Sequence, residues 1–378
     1  MEKMENEEKI FHFMFSTMNI DWKNTRRVLI VRLRSIGDTV LATPSLIALR
    51  RFLPDAQIDI LLEDWVAPLL EDSDLVDNII CVPNKNSLPV DKDKMSAKDL
   101  LIIRLLWAWS LRETKYDIAF NLHGGTTATF FVRASGARHR VGYKNYQYNF
   151  LYTHLAPDSA QFWQQEQVHS AEHQLALLGS VGVPVADKPK SRLVVTEGAR
   201  NSIENKLAKS KIQNPKSKIA LLHPAAAFDS KQWATEKFAR VADFLSEKGF
   251  NPVAVAAPGE REVLENLKQN ARVPVITFDD LSLPEITALA AHAALFVGND
   301  SGIAHIAAAV DTPCVVVFGS SNVYHWRPWT NTPNEVVYSG KGSDKQEFIK
   351  QITVENVCKA VEKVLISKNL INETKLKS

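Results

Sequence analysis

The sequence predicts an α/β protein built from two doubly wound, Rossmann-like units, and three observations carry that reading. Short apolar runs alternate with helix-length segments, the plan occurs twice, and a turn-rich break separates the two series. In the first half, VLIVRL (28–33), QIDILL (57–62), NIICV (78–82) and DIAFNL (117–122) have the continuous apolar character of parallel strands buried on both faces. In the second, KIALL (218–222), PVAVAA (252–257), PVIT (274–277), LFV (295–297) and CVVVF (314–318) repeat it. The break is Gly182-Val183-Pro184-Val185-Ala186-Asp187-Lys188-Pro189, after a helical pattern from His169 to Gly179. At 378 residues the chain is also long for one core. The expected division is an N-terminal extension (1–25), a first domain (26–183), a second domain (184–350) and a C-terminal helix and tail (351–378). In that last segment Val354, Val357, Ala360, Val361, Val364 and Leu365 stand at helical spacing, and the helix is expected to pack back on the first domain. The tail beyond Lys368 is polar and expected to fray.

Composition excludes several classes. A formal net charge of +2 leaves no nucleic-acid footprint. Cys81, Cys314 and Cys358 each lie in or beside an apolar run, which points to buried thiols in a reducing compartment and to neither a zinc cluster nor a disulfide framework. Residues 1–9 carry charges of both signs, and the short apolar run that follows is interrupted by His12, so no signal peptide is expected. No segment approaches the roughly 20 apolar residues that cross a bilayer. A cytoplasmic location is therefore expected. An apolar helix from Leu100 to Leu111, with Trp107 and Trp109 and with Lys98, Arg104, Arg112 and Lys115 nearby, is expected to pack into the core rather than on a membrane.

The run from Phe296 to Gly319, FVGNDSGIAHIAAAVDTPCVVVFG, reads as strand, glycine-containing turn, helix start and returning strand. Backbone N–H groups at a helix start are unpaired and partly positive, so a phosphate is held there without a metal. Gly302 allows close approach of a ligand, and Asp300 or Ser301 can cap the helix. A well-capped core helix is the alternative. Two facing α/β domains of this kind put a ligand cleft between the carboxyl ends of their strands. A nicotinamide dehydrogenase is disfavoured, because Arg34-Ser35-Ile36-Gly37-Asp38 after the first strand has one glycine where the dinucleotide fingerprint needs three, and no P-loop lysine follows. Asp72-Ser73-Asp74 and Asp91-Lys92-Asp93 have the spacing of a metal-binding carboxylate pair, but both lie in polar stretches with no strand feeding them and read as solvated loops. No metal site and no cofactor are expected.

The run Gly298-Asn299-Asp300-Ser301-Gly302-Ile303-Ala304-His305, with Pro313 and the strand Cys314 to Gly319, resembles the signature of the family 9 glycosyltransferases, the ADP-heptose:lipopolysaccharide heptosyltransferases. Three further blocks agree in order and spacing: Arg27 to Asp38 with Pro44; Tyr116 to Gly124 with Arg138 to Gly142, similar to a later strand and loop; and His223-Pro224 with Asp229-Ser230-Lys231-Gln232-Trp233. The resemblance spans about residues 26–365. It implies a GT-B fold and an inverting, metal-independent transfer of heptose from ADP-heptose to the inner core saccharide of lipid A, with the enzyme visiting the inner face of the inner membrane. Transfer of another nucleotide-activated sugar to a cell-surface glycan, or a non-catalytic nucleotide- or glycan-binding module, are the alternatives.

The resemblance assigns Lys231 to the donor's phosphates, together with Asp300, Ser301, Gly302, Ile303 and His305; a surface lysine is the alternative for Lys231. Glu260, after the PVAVAA strand and Gly259, matches a glutamate that accepts from ribose hydroxyls, or is simply a first-turn helix glutamate. Asp38 matches the proposed catalytic base, and Lys231 supports the departing phosphate. Asp38 could equally be the N-cap of the next helix, although Thr43 with Pro44 offers another start. An anionic acceptor asks for a basic lip, for which Arg32, Arg34, Arg138 and Arg140 are the candidates, with Arg133 and Lys144 nearby. The chain departs from better-known members in its N-terminal extension and in Ala225-Ala226-Ala227-Phe228, where hydroxyl-bearing residues often bind phosphate.

Overall fold

The computed structural model describes residues 20–84, 96–210, 218–340 and 348–368. The N-terminal extension up to residue 19, the Asp91-Lys92-Asp93 motif and the tail beyond Lys368 lie outside the described residues. The chain divides into two compact units, the first comprising residues up to 67 with 73–189 and the second 68–72 with 190–378.

The first unit runs β1 (Arg27–Val31), α1 (Ile36–Val40), α2 (Thr43–Phe52), β2 (Gln57–Glu63), β3 (Asn78–Val82), α3 (Ala97–Ser110), β4 (Ile118–Asn121), α4 (Thr126–Ala134), β5 (His139–Tyr143), β6 (His154–Ala156), α5 (Ser159–Trp163) and α6 (Ser170–Gly179). Its six strands pair in the order β3-β2-β1-β4-β5-β6, all parallel. The second unit runs α7 (Glu197–Lys209), β7 (Lys218–His223), α8 (Thr235–Glu247), β8 (Phe250–Val255), α9 (Arg261–Asn270), β9 (Ile276–Phe278), α10 (Leu283–His292), β10 (Leu295–Asn299), α11 (Gly302–Ala309), β11 (Cys314–Phe318), α12 (Val323–Trp326), β12 (Asn334–Tyr338) and α13 (Val354–Ser367). Its order, β9-β8-β7-β10-β11-β12, is the same plan with every neighbour parallel. Both are Rossmann orders, so each sheet has one switch point, where its first strand lies beside its fourth: β1 against β4, and β7 against β10.

The strands with continuous apolar runs are the central ones, because only those are covered on both faces. Val28, Leu29, Ile30 and Val31 of β1 are fully buried, as are Leu221 and Leu222 of β7 and Phe296 and Val297 of β10. Burying each such side chain is worth roughly 1.5–3 kcal/mol. The strands β5, β6 and β12 are additions to the expected set. Arg138 to Gly142, matched together with Tyr116 to Gly124 to a later strand and loop, falls largely within β5.

Three expectations are corrected by packing. The boundary falls after Pro189 rather than at 183, because Val183 and Val185 are buried and Lys188 Nζ lies 2.6 Å from Glu172 Oε1 of α6, which fastens the segment to the first unit. The C-terminal helix α13 packs on its own unit: Val357, Val361, Val364 and Leu365 enter one core with Trp233, Val315 and Val317, and the Trp233 indole donates to the Ile352 carbonyl at 3.0 Å. The third correction is α3. Ala108, Leu111 and Trp107 do enter the first core beside Phe131, but Ile102, Leu105, Leu106 and Trp109 are 54%, 46%, 71% and 60% exposed. A helix that is apolar all round can give only one face to a sheet.

Candidate active site

In the first unit the loop after β1 carries the site. Ser35, at φ +44°, caps α1: its hydroxyl accepts from the Asp38 N–H at 3.4 Å and donates to Asp38 Oδ2 at 2.7 Å. Asp38 is thus in the first turn and is not the cap. Thr43 is not a cap either; Ala42 holds that position before α2, Pro44 follows in its first turn, and the Thr43 hydroxyl donates to the Val40 carbonyl. The other Asp38 oxygen pairs with the Arg32 guanidinium. Arg32 is buried and also donates to the Leu122 carbonyl at 2.9 Å. Burial lowers its pKa and Asp38 pulls it back up, so it stays a cation. Arg32 therefore acts on Asp38 from below and does not form part of a lip.

The loop after β4 meets it from the neighbouring strand. Buried Asn121 ends β4, and its Oδ1 accepts from the N–H of His123 at 3.0 Å and of Gly124 at 2.9 Å, while its amide donates to the Tyr152 hydroxyl at 2.6 Å. Gly124 has φ +82°, the left-handed region that glycine takes without strain, and Tyr146 lies against it. His123 Nδ1 stands 3.4 Å from Arg32 Nη1. Arginine can only donate, so Nδ1 is the acceptor and the imidazole is neutral. Burial and then the charges of Arg32 and Arg34 bring the His123 pKa down to about 4, against a smaller opposing pull from Asp38. Arg34 is exposed beside this cluster. His123 was not singled out from the sequence, although its place directly after a strand and before Gly124-Gly125 is the signal that finds it.

Arg138 and Arg140 lie elsewhere. Arg138 precedes β5 level with Asp117 and Arg140 is its second residue, paired with Ala119 of β4, whereas Asp38 and His123 follow the carboxyl ends of β1 and β4. Strands of five residues separate the two edges by about 15 Å. The Arg140 guanidinium is spent on the carbonyls of Leu151 and Ala137 at 2.8 Å each. The site end of this unit keeps Arg34 as its exposed cation of the four expected.

In the second unit the loop after β7 and the helix after β10 converge at the other switch point. Asn299, buried at the end of β10, donates to the Pro224 carbonyl at 2.8 Å and accepts from the Trp233 N–H at 3.0 Å, pinning both ends of the 224–233 loop. A Cβ at Gly319 would collide with the Ser230 carbonyl, so only glycine lets the loop lie against β11, where the Ser320 N–H donates to that carbonyl at 3.2 Å. The pinned loop delivers Lys231, half-buried, with Nζ 2.9 Å from Asp300 Oδ2. Ser301 occupies the N-cap position of α11, yet its hydroxyl makes no cap bond and its Oγ is buried without a hydrogen-bond partner. The start of α11 therefore presents main-chain donors that its own sequence does not satisfy. Gly302 opens this turn, and Ile303 and His305 are buried side chains of the same helix. Glu260 follows β8, and its Oε2 accepts from the Ala257 N–H at 2.9 Å in a cap of the turn that enters α9. Phe228 is exposed on the 224–233 loop.

Two parallel Rossmann sheets, each with its switch point, are the architecture shared with the solved GT-B heptosyltransferases, and the family match gives the class as glycosyltransferase. The model of glycosyltransferase family 9 (heptosyltransferase) matches residues 104–357, well over half of the chain, which therefore belongs to that family. Lipopolysaccharide heptosyltransferase 3 of Escherichia coli is 28% identical over 353 residues, covering 89% of this chain and 98% of that one. Among solved structures, the glycosyl transferase family 9 protein of Veillonella parvula superposes with a TM-score of 0.75 at 20% identity, covering 90% of this chain and 97% of that one. The E. coli ADP-heptose lps heptosyltransferase II gives 0.74 at 19%, covering 91% and 99%. Among the described residues no helix is long and apolar enough to cross a membrane.

Proposed function

We propose that this glycosyltransferase transfers a heptose from ADP-heptose to the inner core of lipopolysaccharide, with inversion and without a divalent metal. The observation that carries the donor half is Lys231, held against Asp300 beside an α11 start whose Ser301 hydroxyl is unsatisfied. Diphosphate oxygens supply the acceptors those groups lack. Asp300 keeps the Lys231 ammonium in place and orients it, while the N–H groups of Gly302 and Ile303 and the Ser301 hydroxyl face the phosphates. Glu260 takes the ribose hydroxyls on its free oxygen. The E. coli relative named for ADP-heptose and the relative named lipopolysaccharide heptosyltransferase support this donor and acceptor class.

In the reaction the acceptor hydroxyl oxygen attacks the anomeric carbon, and the bond from that carbon to the diphosphate oxygen breaks. The electron pair leaves with ADP, where Lys231 and the α11 N–H groups meet the growing charge. The hydroxyl proton passes to Asp38. Ser35 holds Asp38 Oδ2 and Arg32 holds Oδ1, so the carboxylate is aimed before the acceptor arrives. Arg34 supplies the positive lip for the anionic acceptor, and His123, neutral, is left to hydrogen-bond its sugar hydroxyls. Phe228 and the alanines before it favour one second reading, a different nucleotide-activated sugar. Titration of ADP-, GDP- and UDP-sugars separates the two: only ADP-sugars should bind tightly, and turnover abolished by a chelator would refute the metal-free step.

A further inference from the structure

We propose that the outer face of α3 is a docking surface for an anionic bilayer. Ile102 lies three and four residues before Leu105 and Leu106, and Trp109 four and three after them, so the four form one stripe, and all are largely exposed. The opposite face is anchored: Ala108 and Leu111 are buried, and Trp107 meets Phe131 edge-on at 6.0 Å. The stripe is therefore presented permanently. Helix α4, which packs against α3, adds exposed Phe130, in ring contact with Tyr148 at 5.8 Å, and Tyr148 in turn meets Phe150, also exposed.

The charges around the stripe select its occupant. Lys98 and Lys115 are exposed at its two ends, and the Arg112 guanidinium lies 3.6 Å over the Trp109 ring, which places a cation and an indole together as they sit at a headgroup boundary; Arg104, on the anchored face, donates to the Pro83 carbonyl at 2.7 Å and takes no part. Among the described residues from 96 to 115 the acids are Asp99, in the capping box with Ser96, and Glu113. Fourteen residues make a helix about 21 Å long, short of the roughly 30 Å needed to span, so it lies in the membrane plane.

This surface rests on the proposed lipid-linked acceptor, and the test separates the two. The purified full chain is sedimented with vesicles of phosphatidylethanolamine and phosphatidylglycerol, and with phosphatidylcholine vesicles, without donor or acceptor. Binding to the anionic vesicles, weakened about tenfold or more on the neutral ones and reduced by salt, is expected. Leu106→Glu with Trp109→Glu should lose about tenfold or more in vesicle binding while melting, donor affinity and turnover of a deacylated, water-soluble core acceptor are kept. The milder Leu106→Ser and Lys98→Ser should each weaken binding without touching the fold. Wild-type protein that ignores anionic vesicles, variants that bind as well as wild type, or a wild-type dimer that the variants disperse would each overturn the proposal. Vesicle binding without heptose transfer sinks the acceptor reading alone; transfer to the soluble acceptor without vesicle binding sinks this one alone.

Discussion

Replacing Asp38 by asparagine separates a structural role from a chemical one, and the structure sets the size of both. Asp38 shares an ion pair with Arg32, whose side chain is 7% exposed against 24% for the carboxylate. Asparagine keeps an acceptor for the guanidinium, and the Ser35 hydroxyl can turn to accept from its amide. What is lost is the difference between a charge-assisted and a neutral hydrogen bond, about 1–2 kcal/mol. Breaking a fully buried pair costs about 3–5 kcal/mol, so Asp38→Ala should cost about 2–3 kcal/mol once the partial exposure is discounted. At roughly 2–4 °C per kcal/mol for a domain of this size, the first unit of Asp38→Asn should melt about 2–8 °C lower. Loss of the proposed base should lower kcat by about 10²–10⁴-fold, with donor affinity unchanged because the proposed nucleotide site lies in the second unit. Arg32→Gln is the control: it shares the stability loss but keeps the carboxylate, so it should retain most of the rate. Calorimetry, a donor titration and initial rates on the three variants decide it. Near-normal turnover in Asp38→Asn refutes the base, and an equal kcat loss in Arg32→Gln would show that order in the loop, not proton transfer, is what was removed.

Four further outcomes follow from the geometry. Lys231→Ala should weaken ADP-sugar binding by about 1.5–3 kcal/mol, measured calorimetrically, and unchanged binding would remove Lys231 from the phosphate site. Asn299→Ala leaves the Trp233 N–H and the Pro224 carbonyl buried without partners, at about 1–3 kcal/mol each, so both the melting point and donor affinity should fall; a stability loss with donor affinity intact would mean the loop does not position Lys231. Arg34→Ser should raise the acceptor KM, while Arg138→Ser should not; the reverse result puts the acceptor at the amino edge of the sheet. His123 and His154, brought down to about 4 chiefly by burial, stay neutral in the fold while the unfolded chain takes up protons near 6.5. Their contribution is complete above about pH 6.5 and is lost as pH falls toward 4, up to about 3 kcal/mol for buried His154, so denaturant midpoints should drop across that window and drop less in His154→Gln.

How legible these features are in the sequence depends on which surface each residue reports. The central strands announce themselves because both faces are covered and every residue must be apolar, as in VLIV of β1 and CVVVF of β11. Outer strands answer to fewer neighbours. HRVGY of β5, HLA of β6 and NEVVY of β12 carry too few apolar residues to stand out. Arg138 and Arg140 were expected at a basic lip for an anionic acceptor, and only the register of β5 shows which end of the sheet they occupy. The α3 pattern misled for the opposite reason: apolar spacing all round is common to a core helix and to one that keeps a face for something outside the chain.

The site itself shows the same construction in both units. At each switch point the fourth strand ends on a fully buried asparagine, Asn121 on β4 and Asn299 on β10, and each uses its side-chain oxygen to accept main-chain N–H groups of a functional loop. A buried asparagine costs free energy unless its amide is satisfied on both sides, and Tyr152 and Pro224 receive the two amide groups. An aliphatic residue there would leave the part-buried loop N–H groups of His123 and Gly124, and the buried one of Trp233, without these partners. The asparagines are therefore best explained by the loops they hold rather than by the sheets they end. That accounts for a polar residue at a fully buried strand terminus in each unit, and it places the groups that position His123 and Lys231 one layer beneath the proposed substrate-facing residues.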